Sequence, residues 1–124
     1  MQTLIPKEFF VTGGKAIGRL SELNAFDNAL KDAGIANCNL VEVSSIIPPN
    51  CREVPPKEVP IGSITYTVIS KAYGRGGRIS AGIAWGFAEK EGFGIVAEAY
   101  GSMDESATRK ILEERIQELS LIHI

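Results

Sequence analysis

The sequence predicts an α+β fold, and three observations predict it. Strand-like segments bunch in the middle of the chain instead of alternating regularly with helices. One segment of helical periodicity lies on either side of that bunch. The 124 residues, 44% of them hydrophobic, amount to one domain with enough apolar material for a real core.

Taken in order, residues 7–12 (KEFFVT) read as a short strand ending at Gly13-Gly14. Ser21 is the expected N-cap of the next element, a helix in which Leu23, Phe26 and Leu30 recur at helical spacing. Gly34 follows the last periodic residue and suits a left-handed C-terminal cap. Residues 39–44 (NLVEVS) read as a strand, residues 47–60 as a proline-rich irregular stretch, and residues 64–71 (ITYTVISK), β-branched and aromatic, as another strand. After a turn at residues 74–77, residues 79–87 alternate sharply. Ile79, Ala81, Ile83, Trp85 and Phe87 share one face; Ser80, Gly82, Ala84 and Gly86 share the other. The small face predicts close approach by another backbone or a ligand. Residues 94–100 (GIVAEAY) form a further strand. Ser102 with Glu105 makes a capping-box pattern that opens a second helix, with Met103, Ala107, Ile111, Leu112, Ile116 and Leu119 as its apolar stripe.

Composition narrows the function. A formal net charge of −2 argues against a nucleic-acid binder, which would carry a basic face. No apolar run is long enough to span a bilayer, so no membrane association is expected. The N-terminal MQTLIPKEFF lacks the design of a signal peptide. Cys38 and Cys51 have no metal-type spacing and are expected as reduced thiols in the cytoplasm. The single histidine, His123, argues against a histidine base or a histidine-rich metal site, and no metal is expected. Arg75 and Arg78 in the Gly74–Arg78 turn resemble a phosphate cradle, but the Gly-Lys-Ser/Thr ending of a P-loop is absent.

Three places can carry chemistry. In Val43-Ser44-Ser45-Ile46-Ile47-Pro48-Pro49, two serines end a strand and enter a proline-stiffened turn. Their hydroxyls either bond nearby backbone, or the Ser45 hydroxyl attacks the Ser44 carbonyl. In the second case an ester forms and eliminates, and a dehydroalanine remains that hydrolyses to a pyruvoyl group; a strained turn would favour the attack. Glu98 is the one charge in an otherwise apolar strand, sharing a face with Val96 and Tyr100. It is either a solvent-facing residue of a half-exposed strand or a carboxyl among apolar neighbours that can act as a general acid. Asp27 lies beside the apolar stripe of the first helix. It is either a solvated helix charge or a carboxylate aimed at a cation, which a guanidinium would match with two parallel hydrogen bonds.

Together these segments resemble the pyruvoyl-dependent arginine decarboxylase family. The matching words are residues 23–30 (LNAFDNAL), 33–37 (AGIAN), 39–41 (NLV), 43–49 (VSSIIPP), 79–81 (ISA) and 94–98 (GIVAE), in order along the chain up to Leu119. The resemblance implies cleavage between Ser44 and Ser45, giving a β chain of residues 1–44 and an α chain of residues 45–119 within one domain. It implies that Ser45 becomes the covalent pyruvoyl cofactor and that L-arginine becomes agmatine, a polyamine precursor, and carbon dioxide through a Schiff base on that group. It implies that Glu98 returns the proton, that Asp27 meets the substrate guanidinium, and that Asn39 and Ser44 lie at the scissile bond and substrate. It also implies a four-layer αββα sandwich with mostly antiparallel sheets, in a homotrimer or a dimer of trimers with interfacial active sites.

Two alternatives stay open on the residues alone. One is a pyruvoyl enzyme for another amino acid; the other is an unprocessed, non-catalytic α+β assembly subunit. The sequence also departs from the family. Glu42 stands where many relatives carry a basic residue, and the Arg75/Arg78 turn is basic where relatives are often acidic. The end is the larger departure. Relatives continue past the last helix into more sheet, so the last strand or strands are expected to be missing. Leu119-Ser120-Leu121-Ile122-His123-Ile124 breaks the helical pattern and translates CTG-TCT-CTT-ATA-CAC-ATC, a transposon-end adapter, so residues 120–124 are expected to be a non-native tail.

Overall fold

The chain order of elements is β1 (Glu8–Phe9), α1 (Glu22–Ala33), β2 (Asn39–Glu42), β3 (Ile46–Ile47), β4 (Arg52–Glu53), β5 (Ile64–Thr67), β6 (Ser80–Phe87), β7 (Gly94–Gly101) and α2 (Glu105–His123). They are seen in a computed structural model that describes residues 2–87 and 92–123. The class is α+β with mixed sheets. β1 and β4 run parallel, whereas β3, β7 and β6 form an antiparallel sheet in that order. Two compact units result. One is built mainly from Glu42–Cys51 and the chain from Val68 onward; the other comprises Glu8–Val41 and Arg52–Thr67.

In the second unit, local chemistry sets α1. The Ser21 hydroxyl accepts from the Asn24 amide at 3.1 Å and supplies the N-cap. Gly34 closes the helix at φ 82°, a left-handed conformation that glycine adopts without steric cost. The chain before α1 lies alongside it. Thr12 Oγ1 donates to the Ala33 carbonyl at 2.8 Å, and the Lys15 amide donates to Asp32 Oδ2 at 3.0 Å. A Cβ on Gly14 would overlap the Ala29 carbonyl oxygen, and one on Gly18 would overlap Ala25. The strand expected over residues 7–12 therefore stops at Phe9, because Thr12 and the glycines after it follow the Ala25–Ala29–Ala33 row of α1 instead of a strand partner.

β1 pairs with β4 inside the stretch expected to be irregular, through Glu8↔Arg52 and Phe9↔Glu53. Glu8 also bridges Arg52 at 3.3 Å and Lys57 at 3.6 Å. β2 neighbours β5. The strand expected over residues 64–71 closes at Thr67.

In the first unit, α2 covers one face of the β6–β7 pair. The register sets Gly82 against Ala99, Ala84 against Ala97 and Gly86 against Ile95, so a face of mostly small residues results. Leu112, 7% exposed, packs there with Ala97 and Ala99, joined by Ala84, Ile111 and Ile116. Burial of a leucine side chain contributes about 1.5–3 kcal/mol. A Cβ on Gly82 would stand 3.0 Å from Leu112 Cδ1 and 3.4 Å from Thr108 Cγ2. The close approach predicted for the small face is thus made by a helix.

Three details of α2 differ from expectation. Asp104, not Ser102, caps its N-terminus: Asp104 Oδ1 accepts from the Ala107 amide at 2.8 Å. The Met103 amide bonds back to the Gly101 carbonyl, which leaves Ser102 in the preceding turn. Thr108 is buried with its hydroxyl donating to the Asp104 carbonyl at 3.0 Å, whereas Ala107 is exposed. The helix also runs on through His123, past the break expected at Leu119; the Leu119 side chain and Ile124 lie outside the described ones.

Candidate active site

β2 ends at Glu42, and Val43 and Ser44 leave the ladder exposed. The expected strand is thus cut short, and the two serines sit between strands. Ser45 is half-buried on a bend, and its carbonyl accepts from the Val96 amide at 2.8 Å. β3 follows at once, with Ile46↔Ile95 and Ile47↔Gly94. The turn after it is closed by the Cys51 amide on the Pro48 carbonyl at 3.2 Å, with Asn50 at φ 66°. Asparagine is among the residues that tolerate this left-handed conformation. Ser45 is therefore anchored on its C-terminal side and free of ladder contacts on its N-terminal side.

Glu98 lies on β7 opposite Ile83, between Val96 opposite Trp85 and Tyr100 opposite Ala81. These residues share the face that α2 does not cover, as the alternation of residues 79–87 predicts. Glu98 is half-buried.

Ser45 and Glu98 line one open groove of about 440 Å³, together with Val96, Ala97, Tyr100, Arg115 and Glu118. The groove runs along the edge of β7 where β3 stops. Arg115 and Glu118 reach it from α2, and Arg115 Nη1 donates to the Glu98 main-chain carbonyl. Sequence reasoning missed these two residues. The available signal was Arg115's place beside Ile116 and four residues after Ile111, on the border of the apolar stripe.

Asp27 and Asn39 belong to the second unit. Asp27 is exposed on α1, and its carboxylate has no hydrogen bond or ion pair among the described residues. Asn39 opens β2. Its amide donates to the Ser63 carbonyl at 2.8 Å and its Nδ2 to the Gly62 carbonyl at 3.0 Å. The side chain is thus tied to the 61–63 turn, and among the described residues its carbonyl oxygen is left to accept.

A family model described as pyruvoyl-dependent arginine decarboxylase matches residues 8–123. The chain belongs to that family. Named relatives agree. The pyruvoyl-dependent arginine decarboxylase of Methanopyrus kandleri is 41% identical over 116 residues, covering 94% of this chain and 75% of the relative. That of Methanothermobacter thermautotrophicus is 40% identical over 114 residues, covering 90% and 70%. That of Pyrococcus furiosus is 33% identical over 122 residues, covering 95% and 77%.

The residues fit the group that a pyruvoyl-dependent family implies. Ser45 carries a hydroxyl of the kind such a group can be made from, and its carbonyl is held by the Val96 amide. Among the described residues no helix is long and apolar enough to cross a membrane.

Proposed function

We propose that the chain is a self-processing decarboxylase that converts L-arginine to agmatine and carbon dioxide, with a pyruvoyl group made from Ser45. The observation that carries this reading is the convergence of Ser45 and Glu98 on one groove, in a chain of this family.

Processing uses the chain's own atoms. Ser45 Oγ attacks the Ser44 carbonyl carbon, and the peptide C–N bond breaks as the ester forms. Elimination then releases Ser44 as a carboxylate and leaves a dehydroalanine, and hydrolysis of that residue expels ammonia. Exposure of Val43 and Ser44, beside an anchored Ser45 carbonyl, lets the Ser44 carbonyl turn toward the hydroxyl.

In the reaction itself the pyruvoyl group supplies the electron sink that takes up the electrons left when carbon dioxide departs. The Val96 N–H, bonded to the Ser45 carbonyl oxygen, stabilises negative charge that develops there. Glu98 delivers a proton to the former α-carbon. Asp27 receives the substrate guanidinium, and Asn39, with its side-chain oxygen unspent, orients the chain near the scissile bond. The same reading includes the four-layer αββα sandwich and a trimeric or doubled trimeric assembly in the cytoplasm. Exposed apolar side chains on the strands, including Ile46 at 61% and Tyr100 at 58%, support burial against other copies. The two cysteines, neither in a disulfide, suit a reducing compartment.

Intact mass spectrometry of the purified protein, followed by product analysis with arginine, tests the proposal. Two fragments meeting between Ser44 and Ser45, the second blocked at its N-terminus, and formation of agmatine are expected. A single uncleaved mass from folded protein would overturn it in favour of a non-catalytic assembly subunit. Cleavage with turnover of another amino acid instead would overturn only the substrate.

A further inference from the structure

We infer that Arg115 is a positioning residue for Glu98, standing in for the strand partner that β7 lacks where β3 stops. The inference rests on the reading of Glu98 as proton donor.

The pairing geometry puts the need for such a partner at Glu98. In a strand, the N–H and C=O of one residue point to the same side, and successive residues alternate sides. The Val96 amide points toward β3, where it meets the Ser45 carbonyl. Val96, Glu98 and Tyr100 therefore turn their main-chain groups toward the β3 side, and Ala97 and Ala99 turn theirs toward β6. β3 pairs only with Gly94 and Ile95. Beyond Val96 that edge has no strand neighbour among the described residues. The Glu98 carbonyl faces this open edge, and the donor that meets it is Arg115 Nη1.

The support behind Arg115 is rigid. Leu112 and Ile116, which flank it on α2, pack against Ala84, Ala97 and Ala99 of the sheet, so the helix that carries the guanidinium is fixed to the strand that carries Glu98. Rotation of the main chain at residue 98 would swing the carboxyl along the groove. A charged donor on the carbonyl of the same residue opposes that rotation. Arg115 acts here through Glu98 and makes no contact with substrate. Its own remaining donors face a groove that also holds the Glu118 carboxylate.

The test compares the full chain with Arg115→Met and Arg115→Lys. It measures cleavage by mass, kcat and KM for arginine, and the solvent deuterium isotope effect on kcat. Met fills the volume without a donor, whereas Lys keeps a charged donor. Both variants are expected to cleave at Ser44–Ser45. Arg115→Met is expected to lose between about tenfold and a hundredfold in kcat, as small misplacements of reacting groups do. Its KM should stay within about twofold of wild type and its isotope effect should rise, because proton delivery becomes slower. Arg115→Lys should recover most of the rate.

Unchanged kcat in Arg115→Met would overturn the inference. So would a raised KM with kcat retained, which would make Arg115 a substrate-binding group, or folded protein that fails to cleave, which would move its role to processing. No recovery in Arg115→Lys would also overturn it. If Arg115→Met does not fold, Arg115→Gln, too short to reach the carbonyl, replaces it with the same expectations. Wild-type protein that neither cleaves nor forms agmatine would sink the underlying reading; an active wild type with a fully active Glu98→Gln would sink the role of Glu98 alone.

Discussion

The two helices are secured by opposite means. α1 is held at its ends, by the Ser21 hydroxyl and the left-handed Gly34, and none of its residues is buried. Its first periodic leucine, Leu23, is 69% exposed. The glycine-containing strap instead lies along the small row of Ala25, Ala29 and Ala33. α2 is held along its length, with Thr108 and Leu112 buried on the β6–β7 sheet. Apolar periodicity announced both helices, but in α1 it did not announce the Ala25–Ala29–Ala33 row along which the strap lies. The helix clamped along its length is also the one that sends side chains into the groove of Ser45 and Glu98.

The largest expected effect tests whether that groove holds the chemistry. Glu98→Gln should leave cleavage intact and lower kcat for agmatine formation by about 10²–10⁴-fold, the usual contribution of a general acid. A variant within threefold of wild type would remove Glu98 from the mechanism. Leu112→Ala should cost about 2–5 kcal/mol in a urea titration. Leu23→Ala, at an exposed site, should stay within about 0.5 kcal/mol. Equal losses at the two sites would erase the contrast between the helices.

Asp27→Asn probes the other unit. It should raise KM for arginine about tenfold or more, since a hydrogen bond to a charged group contributes about 1.5–3 kcal/mol, while kcat holds. A fall in kcat with KM unchanged would separate Asp27 from binding. The smallest effect concerns the strap. Gly14→Ala should destabilise by about 1–3 kcal/mol through overlap with α1, whereas Gly13→Ala, with nothing within 4 Å of its added carbon, should be close to neutral. Matching melting temperatures for the two would mean the strap is not closely apposed.

What was legible in the sequence was what neighbouring residues decide together. Ser21 and Gly34 lie within a turn of the groups they cap, and the alternation of residues 79–87 follows from the pleat alone. Ser102 and Asp104 show the limit. Both are small polar residues able to cap, and the choice fell to the turn after Gly101, whose φ of 148° only the folded chain reveals. β4 hid in a proline-rich stretch because its partner, β1, lies more than 40 residues away in sequence. The resemblance singled out Ser45 and Glu98, and the fold brings both to one groove. Arg115 was not legible, because its bond to the Glu98 carbonyl spans 17 residues and depends on how α2 lies across the sheet.

The two register pairs of β3 would gain a second meaning under the proposed processing. Cleavage before Ser45 would turn residue 45 from the middle of a chain into its beginning, and a new chain end ordinarily frays. Ile46 and Ile47 pair with Ile95 and Gly94, and Ile47 is buried, so the new end would stay tethered beside Glu98. In the proposed enzyme this tether would hold the new end and Glu98, both on the α chain, at a high effective molarity that a loose end could not reach.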